Sequence, residues 1–265
     1  MNQLWQDALL PDGYRLDYRE STGSTNDDAR EAGRDRAAAG LVVVAGTQGS
    51  GRGRRGAVWV SPAGQGLAFT VLLRPSENKA LWPRLSLAAG LAVAEALDRF
   101  GVASEVKWPN DVWIGGKKIA GILVEAGEDF VVAGIGINVG VTEFPELLQN
   151  SATSLAIECG EAPSLPTVLA AVLDRLQIWQ SKIGQDFDEL IRHFRVRCAL
   201  TGKQVSLISA EGVLHGRVAG IGDGGELLLQ TVDGIRRLVQ ADEVRMPSPV
   251  WRRSSPPSPM PATWP

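Results

Sequence analysis

EVKWPNDVWIGGKKIAGILVEAGEDFVVAGIGINV, residues 105–139, is the stretch that decides how this chain folds. EVKW, KIAGILVE and FVVAGIGINV are runs of strand length, the last two punctuated by glycines, and a further short strand follows Asn110-Asp111. Upstream, strand-like and helix-like segments alternate. Tyr14–Glu20 reads as a weakly alternating strand; Ser24-Thr25-Asn26-Asp27-Asp28 offers helix N-cap groups and first-turn carboxylates before AREAGRDRAAAG, which ends at Gly40. LVVVAGT (41–47) and GLAFTVLLR (66–74) read as buried strands, and Leu85–Phe100 as an alanine-rich helix. Downstream, apolar residues recur at helical spacing over Pro166–Trp179 and again over 187–198.

After Leu200 the texture changes. KQVSLI, VLHGRV, ELLLQ and IRRLVQ are short strands divided by EG, GDGG and DG turns. They predict a small barrel over 201–246, hard to stabilise alone but viable when docked on a larger domain formed by residues 1–200. Seven of the fifteen prolines fall in 247–265, so this segment is expected to be a disordered tail.

A length of 265 residues suits one large or two unequal domains and a core that needs no disulfide or metal staple. The net charge of -3 excludes bulk electrostatic attraction to nucleic acid as the main activity. Cys159 and Cys198 form no CxxC pair, and His193 and His215 share no ligand spacing, so no metal site built from His or Cys is expected. The N-terminus does not read as a signal peptide, and the apolar stretch Leu85–Ala94 is too short to span a membrane. A reduced, cytoplasmic protein is the expectation.

The loop TQGSGRGRRGAVW (47–59) formally contains GxGxxG at Gly51, Gly53 and Gly56. A dinucleotide fold would need a helix right after it, and VWVSPAGQG cannot supply one; the kinase and P-loop patterns fail on their missing partners. What stands is a local field: no acidic residue lies between Asp35 and Glu77, where Arg36, Arg52, Arg54, Arg55 and Arg74 do. Glycines allow close approach and arginines offer planar donors for carboxylate or phosphate. A solvated surface loop is the plain alternative.

Lysine is scarce, six against twenty-one arginines, yet Lys107, Lys117 and Lys118 cluster. Compact ammonium groups there suit an anion held by point charge, and Lys107 with Asp111 would project to one edge of a sheet. In VVAGIGINVG, Gly134, Gly136 and Asn138 share one face, a flat shelf for a planar ring beside an amide able to read a purine edge. The ordinary alternatives are a charged hairpin and a helix packed closely on the glycines.

Together, Ser24-Thr25-Asn26, GRGRRG (51–56), SPAGQGL (61–67), KWPND (107–111), KKIAGILVE (117–125) and GIGINV (134–139) resemble biotin–protein ligases in order and spacing. The resemblance covers about residues 14–245. It implies an α+β catalytic domain like the class II aminoacyl-tRNA synthetase core, a mixed and largely antiparallel sheet with helices, followed by an SH3-like barrel. It also implies the reaction: biotin and ATP with Mg²⁺ give biotinyl-5′-AMP, and the acyl group passes to a lysine of a biotin carboxyl carrier protein such as that of acetyl-CoA carboxylase.

Carried over motif by motif, Ser24, Thr25, Asn26 and Gln48 would meet the biotin rings, and Arg52, Gly53 and Arg54 would close over biotin and the adenylate. Lys118 would hold the biotin carboxylate and α-phosphate oxygens, Lys107 would add charge, Asn110 and Asn138 would contact the nucleotide, and Trp59 would cover the adenine. Asp111 would orient or deprotonate the incoming amine. Such chemistry needs positioned cations rather than a protein nucleophile, which suits a chain with no catalytic histidine. About thirteen residues precede the first strand, fewer than the DNA-binding module of bifunctional members, so no DNA partner is expected. Family members often form homodimers through an edge strand; the sequence does not decide this. Lipoate ligases share the architecture but carry an RRxSGGG-type loop that this chain lacks.

Overall fold

The elements run in the order α1 (Gln3–Gln6), β1 (Arg15–Thr22), α2 (Thr25–Arg34), β2 (Leu41–Gln48), β3 (Gly66–Leu73), α3 (Arg84–Asp98), β4 (Glu105–Lys107), β5 (Asp111–Ile114), β6 (Lys117–Ala126) and β7 (Val131–Asn138). Then follow α4 (Leu155–Cys159), α5 (Leu165–Gln180), α6 (Phe187–Arg197), β8 (Gln204–Ser209), β9 (Gly212–Ile221), β10 (Leu227–Thr231), β11 (Gly234–Leu238) and β12 (Glu243–Arg245). This computed structural model describes residues 3–209, 212–241 and 243–246. The tail expected over 247–265 lies outside the described residues.

Seven strands form one mixed sheet in the order β1-β2-β3-β7-β6-β5-β4. Only β1 and β2 pair in parallel, with α2 as the crossover between them; every other neighbour is antiparallel. The continuous apolar runs of β3 and β7 follow from burial on both faces, since each residue of these strands is buried. In β2 the two-residue alternation divides the core: Val42 and Val44 join the large cluster with α3 and α5, whereas Leu41 and Val43 meet Ala29, Leu72, Phe130 and Val132 around α2.

The second sheet is antiparallel, in the order β11-β10-β9-β8-β12. Its inward residues Val205, Leu207, Val218, Leu227 and Leu229 belong to the same apolar cluster as the large sheet. Polar ties reinforce the contact: the buried Trp108 indole donates to Gly225 O at 3.0 Å, and Arg195 Nε donates to Ile221 O at 2.8 Å.

Two details depart from the sequence expectations. α2 stops at Arg34 rather than running to Gly40; Arg36 takes φ 62, and Arg74 donates to the carbonyls of Gly33 and Ala37 at 2.9 and 3.1 Å, satisfying acceptors that a continuing helix would use. The four- and five-residue helices α1 and α4 are too short to show a period in sequence.

Candidate functional site

One cavity of about 960 Å³, open solvent at its mouth included, gathers the ends of several elements. The start of α2 gives Ser24, Thr25 and Asn26, and the end of β2 gives Gln48. The following loop gives Arg52, Gly53, Arg54 and Trp59; the β4–β5 turn gives Lys107, Asn110 and Asp111; Lys118 comes from β6. Gly134 and Gly136 of β7 form the floor, and the second sheet adds Ala241, Glu243 and Val244.

The uncharged polar groups of the cavity are pre-organised. Gln48 Oε1 accepts from Thr25 N at 2.9 Å and from its hydroxyl at 3.2 Å. The buried Thr70 hydroxyl lies 2.6 Å from Asn26 Oδ1 and 2.8 Å from Thr25 Oγ1. Ser24 stands at the N-cap of α2 in extended conformation, but its side chain makes no cap bond, so the hydroxyl is not spent on the helix.

The glycine–arginine loop closes on itself as a small hairpin. Trp59 N donates to Gly51 O at 2.9 Å, Gly53 N to Ala57 O at 2.6 Å, and Arg52 bridges Val58. Arg52 forks onto both oxygens of Asp27 at 2.6 Å, which lowers the Asp27 carboxyl pKa and raises that of the guanidinium. On the other side Arg54 Nη2 donates to Ala241 O at 3.0 Å, with Nη1 3.4 Å from Asn110 Oδ1. Burial pushes the Arg54 pKa down, and Arg55 adds to the effect. The Trp59 indole lies flat on the glycine floor: a Cβ built on Gly136 would come within 2.3–2.6 Å of its ring atoms. Its Nε1 is buried without a hydrogen-bond partner.

Lys107 and Asp111 are direct partners in the β4–β5 ladder and so project to one side. Lys118 is held by backbone bonds to Ser151 and Thr153, and its Nζ lies 2.7 Å from Asp111 Oδ1. Lys107 Nζ sits 4.5 Å above the Trp113 ring. Burial pulls its pKa below the ordinary lysine value, opposed by Asp111 and Glu243 and aided by Lys118. Three cations from three chain segments thus surround one space, an arrangement suited to a phosphoryl or carboxylate group that gains charge.

Residues 18–141 match the Biotin/lipoate A/B protein ligase family. Over 242 residues the chain is 36% identical to a biotin–[acetyl-CoA-carboxylase] ligase of Mycobacterium tuberculosis, spanning 88% of this chain and 89% of that protein. The chain belongs to the biotin protein ligase family. It is also 34% identical over 239 residues to the bifunctional ligase/repressor BirA of Bacillus subtilis, covering 87% of this chain and 74% of that relative. The biotin protein ligase of Aquifex aeolicus, solved in complex with biotin and ATP, superposes with a TM-score of 0.81 at 33% identity, over 88% of this chain and 99% of that one.

Set against this ligase family's motifs, every site residue read from the sequence lies on the cavity except Asn138. Asn138 continues the face of Gly134 and Gly136, but its amide is buried and donates to Thr153 O at 3.0 Å. Sequence reasoning missed Asp27, Thr70, Glu125, Ala241, Glu243 and Val244. Thr70 was signalled by being the one polar residue inside the apolar run of GLAFTVLLR, before Arg74 closes it. Ala241, Glu243 and Val244 carried no signal, because only the docking of the second sheet brings them to the cavity.

Proposed function

We propose that this chain activates biotin with ATP as biotinyl-5′-AMP and transfers the biotinyl group to a specific lysine of a biotin carboxyl carrier protein, such as that of acetyl-CoA carboxylase. The observation that carries this reading is the convergence of Arg54, Lys107 and Lys118 on one cavity that is also lined by the fixed polar groups of Thr25, Asn26 and Gln48. In the first step a carboxylate oxygen of biotin attacks the α-phosphorus and the bond to the β-phosphate breaks, releasing pyrophosphate. Negative charge grows on the non-bridging oxygens, where the three cations stabilise it. In the second step the carrier's amine attacks the acyl carbon, the bond to phosphate breaks and AMP leaves.

In this reading Ser24, Thr25, Asn26 and Gln48 face the biotin rings, while Arg52, Gly53 and Arg54 close over the anhydride. Lys118 exchanges its Asp111 partner for the carboxylate and α-phosphate, and the released Asp111 takes up or orients the amine proton. Trp59 occupies the glycine floor, so covering the adenine calls for the indole to lift. Asn110 contacts the nucleotide; a part for Asn138 would require it to give up Thr153. Among the described residues no three His, Cys, Asp or Glu are grouped to cage a metal. Magnesium commonly relies on one or two carboxylates plus substrate phosphates. Asp111 and Glu243 are the carboxylates on this cavity and would hold an ion that neutralises phosphate charge.

Residues 201–246 form, in this proposal, an SH3-like barrel domain docked on a catalytic domain of residues 1–200, in a protein that works in the cytoplasm. The deciding assay incubates the protein with labelled biotin, MgATP and an apo-carrier, with lipoate as competitor. Label on a single carrier lysine, undiminished by lipoate, is expected. Selective use of lipoate, or adenylate retained without transfer, would overturn the reading.

A further inference from the structure

Glu125 lies near the end of β6 and does not line the cavity, yet three side chains converge on its carboxylate. Oε2 accepts from Asn26 Nδ2 at 2.7 Å, Oε1 accepts from Arg30 Nη1 at 3.0 Å, and Arg52 Nη2 stands 3.9 Å away. Its side chain is 25% exposed, so these contacts are only partly shielded from water.

Asn26 shows what this contact controls. An amide has two N–H donors and an oxygen with two lone pairs. One N–H of Asn26 goes to Leu123 O at 3.3 Å and the other to Glu125, while Oδ1 receives the Thr70 hydroxyl. Turning the amide over would set its oxygen against the Leu123 carbonyl and the Glu125 carboxylate. Asn26 therefore presents to the cavity a single unspent group, an oxygen lone pair. It cannot slide away either: a Cβ on Gly134 would lie 2.0 Å from Asn26 Oδ1, so the amide rests directly on the glycine floor.

We infer that Glu125 is a positioning residue for substrate selection: it fixes Asn26 as a hydrogen-bond acceptor for a ring N–H of the substrate, and its charge helps keep Arg52 over the cavity. The class of ligand this selects is a neutral ring carrying N–H donors, which the cyclic urea of biotin satisfies; to that extent the inference rests on the reading above. Arg30 joins the cluster from outside and serves to keep the carboxylate in place.

The test uses the full chain and biotin-dependent pyrophosphate release. In E125Q the bond from Asn26 loses its charge assistance, and with the Gln oxygen turned to Arg30 its nitrogen meets Asn26 as a second donor. The KM for biotin should rise about tenfold, while the KM for ATP stays within about twofold, a split that general loss of structure would not give. Adding E125Q to N26A should raise the biotin KM by less than E125Q does in wild type, because the Asn26 contact is common to both changes and only the longer Arg52 contact is left to lose. R30M should leave the biotin KM within about twofold of wild type, the exposed part of the cluster contributing little.

E125D retains the charge but withdraws it by one methylene and should raise the biotin KM by about threefold, which keeps the idea exposed if E125Q does not fold. The side-chain amide resonance of Asn26, exchanging slowly with water in wild type and faster in E125Q, reports the same contact without any turnover. Wild type that released no pyrophosphate with biotin would sink the biotin reading and leave the resonance to judge Glu125. An unchanged biotin KM with an unchanged resonance in E125Q, additive effects in the double variant, or an R30M defect equal to that of E125Q would each overturn the inference.

Discussion

Replacing Arg54 by alanine should both loosen the second sheet and let the activated intermediate escape. The guanidinium donates to Ala241 O at 3.0 Å, and a hydrogen bond from a charged donor contributes about 1.5–3 kcal/mol when shielded. Arg54 is half-buried, which argues for the lower end; its 3.4 Å approach to Asn110 lies at the outer limit of hydrogen bonding and adds little. A loss of about 1.5 kcal/mol corresponds to a Tm drop of roughly 3–6 °C for a domain of this size. If the same group also faces the adenylate phosphate, the charge–charge contact falls at the upper end, and about 3 kcal/mol is about a hundredfold in dissociation. The measurement loads enzyme with labelled biotin and MgATP, removes free ligand, and follows the bound adenylate beside a thermal melt. R54K separates charge from fork geometry and should fall between the two. A melt that moves while adenylate half-life matches wild type would reduce Arg54 to a tie between sheets and refute its role over the anhydride.

Lys118→Met should lower pyrophosphate release by about a hundredfold, while stability changes by no more than about 1 kcal/mol because the Asp111 pair is partly exposed; a melt that collapses, or release near wild type, would contradict this. Lys107 has a pKa below the ordinary lysine value through burial, so as pH rises past that lowered value the amine becomes neutral and the KM for ATP should climb. Between the lowered and ordinary values the unfolded chain binds the extra proton, so the Lys107 contribution to stability rises with pH; K107R should flatten the ATP profile, and superimposable profiles would refute the assignment. Gly134→Ala would drive a methyl to 2.0 Å from Asn26 Oδ1, destabilising the fold by about 1–3 kcal/mol and weakening biotin binding with it; calorimetry showing no loss on either count would show that the floor can yield.

The large sheet was legible because its inner strands are covered on both faces, which turns LVVVA and VVAGIGI into unbroken apolar runs and leaves GLAFTVLL interrupted only by Thr70. The pairing of Lys107 with Asp111 was legible for a local reason, a turn of three residues that leaves both at the same end of a hairpin. The end of α2 was not, because Arg74, forty residues further on, takes the carbonyls of Gly33 and Ala37. Asn138 illustrates the limit of periodicity: alternation gives its face, but only the packing of residues 151–153 against β6 brings the Thr153 carbonyl to its amide. Likewise Glu125 reads as the polar end of a strand until the start of α2 is laid against it.

One wall of the reaction chamber has a consequence for biosynthesis. Ala241, Glu243 and Val244 leave the ribosome after the whole large sheet, so a nascent chain can bury its central strands while the chamber still stands open on that side. Until the segment arrives Arg54 lacks the Ala241 carbonyl, and on the role proposed for Arg54 a mixed anhydride made by such a chain would be held less firmly.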